Sequence, residues 1–325
     1  MSLTNAVRTI VTAALAGYLL LAGAACNRSK KKEIAVIPMG RAHMFWQSVH
    51  AGAVAAAREA GVDIIWNGPA AETDYTDQIR IVDSMISRHV DAIALAPIDS
   101  KAMVGVVERA VNQGIPVILF DSGLETDKFL TRVATDNYGA GRLGAWRMAK
   151  ILHGNGKVAI VAAQPGAASA TARDKGFEDA MREKHPCIQI VDKRFGMADF
   201  AKSLAVAENM LTAYPDLDAM FASNETSSVG AAQALKGRTG SKVKLVAFDW
   251  SPTLLAGLES GLIDSLIVQD PFKMGHEAVM SAMKKFKGES VPKIHYLAPR
   301  LVTRENLKDP DVQAQINPDL KKYLE

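Results

Sequence analysis

The chain has 325 residues, with 38 lysines and arginines against 35 aspartates and glutamates, 48% hydrophobic residues and two cysteines. At 22% charged and 6% aromatic it has a globular composition, which excludes disordered, collagen-like and coiled-coil classes, and its length suits two domains. Two cysteines exclude a disulfide scaffold or a four-cysteine zinc site, and the excess positive charge is local: residues 1–32 hold Arg8, Arg28, Lys30, Lys31, Lys32 and no acid, leaving 33 basic against 35 acidic residues elsewhere, no footprint for nucleic acid.

The first predicted element is a leader over residues 1–26. Positions 9–27 carry no charge, residues 10–21 form an apolar core, and Ala22-Gly23-Ala24-Ala25 leads to Cys26. A basic start, an apolar stretch and a small-residue exit make the layout of a secretory signal. Cys26 in that place resembles a bacterial lipoprotein signal, whose cysteine is acylated, although Gly23 stands where that signal prefers leucine. Soluble secretion and a retained membrane helix, for which the run is nearly long enough, are the alternatives. All three export the body to the periplasm or cell envelope, and residues 27–32 read as a tether.

Apolar runs at 34–38, 62–66, 92–96, 117–120 and 132–134 then alternate with segments 45–59, 74–88 and 100–112, in which apolar residues recur at helical spacing. After Asn137 the alternation restarts. Helices are predicted at 141–153, 172–184, 202–213, 228–235 and 253–260, each followed by a strand, at 157–162, 188–192, 219–222, 244–248 and 265–268. A last helix over 273–286 precedes Pro292 and a polar tail. Strand–helix alternation implies crossover units and parallel sheets covered on both faces. The predicted fold is therefore α/β: two doubly wound parallel-sheet lobes, with ligands expected outside the carboxyl ends of the strands. Cys187, at the entrance to a strand, reads as a small buried thiol.

Enzyme signatures are missing. The spacings G-x-x-x-x-G-K-[ST], H-E-x-x-H and G-x-S-x-G do not occur, and the seven histidines are dispersed. The expectation from these motifs is a chain without catalysis, cofactor or metal.

Several strand ends carry a resemblance. Ile34–Pro38 followed by Phe45-Trp46 and Gly52-Ala53, then Pro97-Ile98-Asp99, Pro116–Asp121, Thr135-Asp136-Asn137, Arg173-Asp174-Lys175-Gly176-Phe177, Phe221–Glu225, Val246–Asp249 and Gln269-Asp270-Pro271 resemble, in order, a periplasmic sugar-binding protein of the ribose-binding type. Lactose-repressor-like regulators share that fold, but the DNA-binding helices they need before Ile34 have no room beside the leader. The resemblance implies a type I periplasmic binding fold with a three-strand hinge near 136–138, 270–272 and 297–301. It divides the body into a first lobe of 33–137 plus 271–296 and a second of 138–270 plus 297–325. It also implies a monomer that closes on a small sugar or polyol and delivers it to the permease of an ABC importer. A sensory binding protein presenting its ligand to a membrane receptor or sensor kinase is the alternative.

Recognition of hydroxyls needs side chains that donate and accept in complementary pairs, with flat apolar faces for the ring. The resemblance assigns ligand contacts to Phe45, Trp46, Asp121, Arg173, Asn224, Asp249 and Gln269. Ser122 stands where the ribose type has arginine, and the first loop, residues 39–44, is not small and polar. Arg41 and His43 are candidate replacement cations, and Trp250 is a candidate second stacking face. These departures argue against ribose itself.

Overall fold

The structure, a computed structural model, describes residues 31–238 and 240–325. The leader and Cys26 lie outside the described residues.

The chain runs β1 (Glu33–Ile37), α1 (Met44–Ala60), β2 (Asp63–Trp66), α2 (Tyr75–Ser87), β3 (Ala92–Leu95), α3 (Val104–Asn112), β4 (Val117–Phe120) and β5 (Thr131–Thr135). It continues through α4 (Asn137–Ile151), β6 (Gly156–Ala162), α5 (Ala168–Lys184), β7 (Ile188–Phe195), α6 (Phe200–Ala213), β8 (Ala219–Ala222), α7 (Glu225–Lys236), β9 (Lys244–Phe248), α8 (Pro252–Ser260) and β10 (Ser265–Val268). It ends with α9 (Pro271–Phe286), β11 (Ile294–Leu297), β12 (Arg300–Val302), α10 (Pro310–Ile316) and α11 (Lys321–Leu324).

Two six-stranded sheets have orders β11-β5-β4-β3-β1-β2 and β12-β10-β9-β8-β6-β7, the same pattern position for position. All pairings are parallel except β12, which runs antiparallel to β10. Both faces of each sheet are apolar. In the first lobe Ile34 and Val36 enter one core while Ala35 and Ile37 enter the other, as parallel strands covered by helices on both sides require.

The chain passes between sheets three times, from β5 into α4, from β10 into α9, and between β11 and β12. The first two crossings are built alike. Asp136 accepts from the Gly139 N–H, and Asp270 accepts from the Lys273 N–H. These caps explain why α4 and α9 begin earlier than positions 141 and 273: an aspartate cap, with Pro271 at the first position of α9, starts a helix directly at the crossing.

Each lobe also contains a close helix crossing made by glycines. A methyl on Gly52 of α1 would sit 1.9 Å from the Phe272 carbonyl oxygen of α9, and one on Gly275 would sit 2.0 Å from that of Val49. In the second lobe, methyls on Gly141 of α4 and Gly176 of α5 would lie 2.0 and 2.1 Å from the Arg173 and Tyr138 carbonyl oxygens.

Two details differ from the sequence reading. Cys187 is exposed, because the first buried position of β7 is Ile188, where the strand meets β6. The tail begins on the second lobe, with Val312 and Ile316 in its core, but ends on the first. There Arg58 of α1 donates to the Lys322 carbonyl at 2.8 Å and lies over the Tyr323 ring, which also packs on Phe272. Among the described residues no helix is long and apolar enough to cross a membrane.

Candidate functional site

The lobes meet across a cleft formed by the carboxyl ends of the strands, and polar contacts bridge it. Gln164 donates to the Glu72 carbonyl oxygen at 2.8 Å, and the Ser100 N–H donates to the Gly166 carbonyl oxygen at 3.0 Å. This is a closed arrangement.

Two aspartates occupy equivalent strand ends, Asp121 after β4 and Asp249 after β9. Both have left-handed backbones, φ 57° and 67°, a conformation that aspartate adopts more readily than most residues. Each backbone N–H donates at 2.9 Å to the neighbouring strand, to Val133 and Ile267 respectively. The ladder thus holds the chain while it turns sharply, and both carboxylates are buried.

Asp121 meets the opposite lobe. Ser169 of α5 donates to its Oδ2 at 3.2 Å, and a guanidinium nitrogen of Arg173, one turn further along α5, lies 3.7 Å from its Oδ1. Arg173, 4% exposed, donates Nε to Asn137 Oδ1 at 2.7 Å and Nη1 to the Ser223 carbonyl oxygen at 3.1 Å. Its planar group lies 4.2 Å from the centre of the Phe248 ring, a cation–π contact strengthened by burial. Asp249 accepts from Gln269 Nε2 at 2.7 Å and from the Glu225 backbone N–H at 3.0 Å, while Thr135 donates to Gln269 Oε1 at 2.7 Å. The fold thus brings Asp121, Arg173, Asp249 and Gln269 into one buried polar cluster shared by both lobes.

That cluster has one guanidinium for two carboxylates. Burial is the main reason the Asp121 carboxyl is pushed up to about 6; Arg173 pulls it back and the Asp249 charge adds to the rise. Burial also raises Asp249, against Arg173 and the Gln269 hydrogen bond. Among the described residues no group of three or more His, Cys, Asp or Glu is placed to hold a metal ion.

The aromatic candidates are all buried. Phe45 and Trp46, at the start of α1, both belong to the first lobe's core and pack edge to face with ring centres 4.8 Å apart; Phe45 is 8% exposed. Trp46 is turned into the first lobe's core, edge-on to Phe120, with its indole N–H on Glu72 Oε1 at 2.6 Å. Trp250 packs in the second lobe's core, and its buried indole N–H has no hydrogen-bond partner. Asn224 caps α7, accepting from the Ser227 N–H and donating to Thr226 Oγ1, both at 3.0 Å. His43 and the exposed Arg41 line a pocket of about 520 Å³ between the lobes at the cleft's rim, with Glu72, Lys202, Glu225 and Thr226. His43 Nδ1 is 2.5 Å from Glu72 Oε1. Burial works against its protonation, but Glu72, with the charges of Glu225 and Asp249, raises it overall.

Sequence reasoning missed Glu72, Thr135, Asn137, Ser169 and Glu225. Thr135 and Asn137 flank the first crossing and so were within reach; the others are recognisable from their partners across the cleft.

The comparisons decide the family. Residues 34–290 match the periplasmic binding protein domain. The chain belongs to the periplasmic binding protein family. It is 31% identical over 291 residues to the D-ribose/D-allose-binding protein of Pseudomonas aeruginosa, covering 86% of this chain and 90% of that one. A carbohydrate transporter solute binding protein from Agrobacterium radiobacter, solved with D-arabinose, superposes with a TM-score of 0.86 at 32% identity, over 89% of this chain and 100% of the other. A solute binding protein of an ABC transporter from Agrobacterium vitis, with bound D-fucose, gives 0.84 at 33% identity, over 87% and 99%. The expected two-lobed α/β fold of the ribose-binding type is the fold of this chain.

Proposed function

We propose that this periplasmic binding protein captures a small sugar or polyol between its lobes and delivers it to the permease of an ABC importer. The observation that carries the reading is the buried Asp121–Arg173–Asp249–Gln269 cluster, to which both lobes contribute. Carboxylates accept from hydroxyls, a guanidinium donates to them, and an amide does both. The ring of Phe45 adds an apolar face of the kind a sugar's C–H groups stack on. The ligands named for the relatives are D-ribose, D-allose, D-arabinose and D-fucose, and they set the class, not the compound.

In this reading Phe45, Asp121, Arg173, Asp249 and Gln269 hold the ligand. Asn224 joins them by releasing Thr226, and Trp46 backs Phe45 from the core. Ligand hydroxyls replace contacts that these groups make with one another. Hydrogen bonds to charged groups contribute about 1.5–3 kcal/mol each, so four or five of them, less the cost of association, reach the roughly −8 kcal/mol of micromolar binding. Ligand selects the closed state, whose outer surface is what a permease reads. Cys26 is the proposed lipid anchor on the envelope.

A thermal-shift screen over D-arabinose, D-ribose, D-allose, D-fucose, D-tagatose and myo-inositol tests the reading. A ligand at about a thousandfold excess over its Kd adds about 4 kcal/mol of stability, so at least one compound is expected to raise the melting temperature by several degrees. No shift with any compound overturns it.

A further inference from the structure

Helix α1 has no cap of its own. Its N-cap residue, His43, makes no side-chain cap hydrogen bond, and its first turn holds no acid. The first N–H groups of a helix lack intrahelical acceptors and need another partner. Here that partner comes from the other lobe: Glu225, at the start of α7, accepts from the Met44 N–H at 3.3 Å through Oε1 and from the Phe45 N–H at 3.0 Å through Oε2. The Glu225 backbone N–H meanwhile donates to Asp249. One residue therefore ties the aromatic at the start of α1 to the aspartate at the end of β9, across the cleft.

We propose that Glu225 is the closing latch of the molecule, a positioning residue whose carboxyl oxygens cap α1 when the lobes meet and thereby set Phe45 against Asp249. The contact adds something that opening removes. In the open form the Met44 and Phe45 amides and the Glu225 carboxyl group face solvent separately, and in the closed form two hydrogen bonds join them, giving the first-turn amides the acceptors they otherwise lack. The charged and titratable neighbours at this point are His43 and Arg41 ahead of α1, Glu72 after β2, Asp199 and Lys202 at the start of α6, and Asp249. The proposal rests on the two-lobed closing function stated above but not on the identity of the ligand.

The test is amide exchange followed residue by residue by NMR on wild type, Glu225→Gln and Glu225→Ala, with scattering on the same samples to identify compact ones. D-Arabinose is added to one set. In compact wild-type protein the Met44 and Phe45 amides are expected to be protected, unlike ordinary first-turn amides. Glu225→Ala loses that protection, opens more readily and, where D-arabinose binds, binds it about tenfold more weakly. Glu225→Gln, which keeps one acceptor oxygen in place of two, retains protection at one of the two amides and loses it at the other. Interior amides of α1 stay protected in all three, showing an intact fold. Unprotected Met44 and Phe45 amides in compact wild type, or protection undiminished in Glu225→Ala, overturns the latch. A silent sugar screen with protection present overturns the ligand reading and leaves the latch standing.

Discussion

Asp121 and Asp249 hold the same place in two copies of one sheet, yet their surroundings give them different duties. Asp121 is tied to Ser169 and Arg173 of the opposite lobe, whereas Asp249 is gripped by Gln269 and the Glu225 backbone within its own lobe. Cutting Asp249 back to alanine strands two buried donors, at about 1–3 kcal/mol each, so loss of fold would mask loss of binding. Asp249→Asn is the cleaner change, since its oxygen still accepts from the Glu225 N–H, its NH2 is met once the Gln269 amide turns over and the Thr135 hydroxyl accepts, it tolerates the left-handed backbone, and it removes one of two crowded negative charges. Isothermal titration with the best sugar of the screen is expected to show at least tenfold weaker binding, about 1.4 kcal/mol, with ligand-free melting unchanged or higher. Unchanged affinity removes Asp249 from the site. The strand-end position of these aspartates was legible in the sequence, each directly following an apolar strand run, and the family resemblance, not that position alone, singled them out. Glu225 was not, since its acceptors' partners are backbone N–H groups some 180 positions away, and a backbone amide has no letter in the sequence. Trp46 and Trp250 were ambiguous for a related reason: a tryptophan at a strand end or in a first helical turn suits a cleft wall and a core equally well.

At the scale of elements, strand–helix alternation revealed nearly every helix and strand, because a buried parallel strand and an amphipathic helix write different apolar periods. The close helix crossings were less visible: a glycine in a helix does not say which distant helix passes it. The crossing of α4 and α5 matters for function because Arg173 itself supplies the carbonyl oxygen that faces Gly141. Gly141→Ala must push α5 away at the residue whose side chain reaches Asp121 and Asn137. The expected cost is about 3 kcal/mol from overpacking, a melting temperature lower by roughly 6 °C or more, and weaker sugar binding. The matching change Gly52→Ala strains the first lobe instead and leaves Arg173 in place. Differential scanning calorimetry with titration on both variants checks this; undiminished affinity in Gly141→Ala would show that the crossing does not position Arg173.

The whole molecule combines these local charges into a response to pH. In the closed cleft Asp121 is pushed up to about 6 and Glu225 to about 7, chiefly by burial, and Asp249 is raised for the same reason. Opening returns these carboxyls to water and towards their ordinary values near 4. An acid whose value is higher in the closed form takes up a proton on closing, so its protonation favours closure. That advantage is fully present below the open-form value and is lost as pH rises through the closed-form value. His43, raised in the closed form, acts in the same direction, because its protonation is also favoured there. The ligand-free protein is therefore expected to become more compact as pH falls from about 7.5 to about 5, measured as a falling radius of gyration in solution scattering. With saturating sugar the dependence flattens, since hydroxyl donors offset the buried charge that protonation would otherwise neutralise. Glu225→Gln, which has no proton to take up at that site, shortens the response at its upper end, near pH 7, and leaves the part near pH 6 that belongs to Asp121. A ligand-free radius that is flat across this window, or that grows as pH falls, would show that the crowded carboxylates do not govern closure.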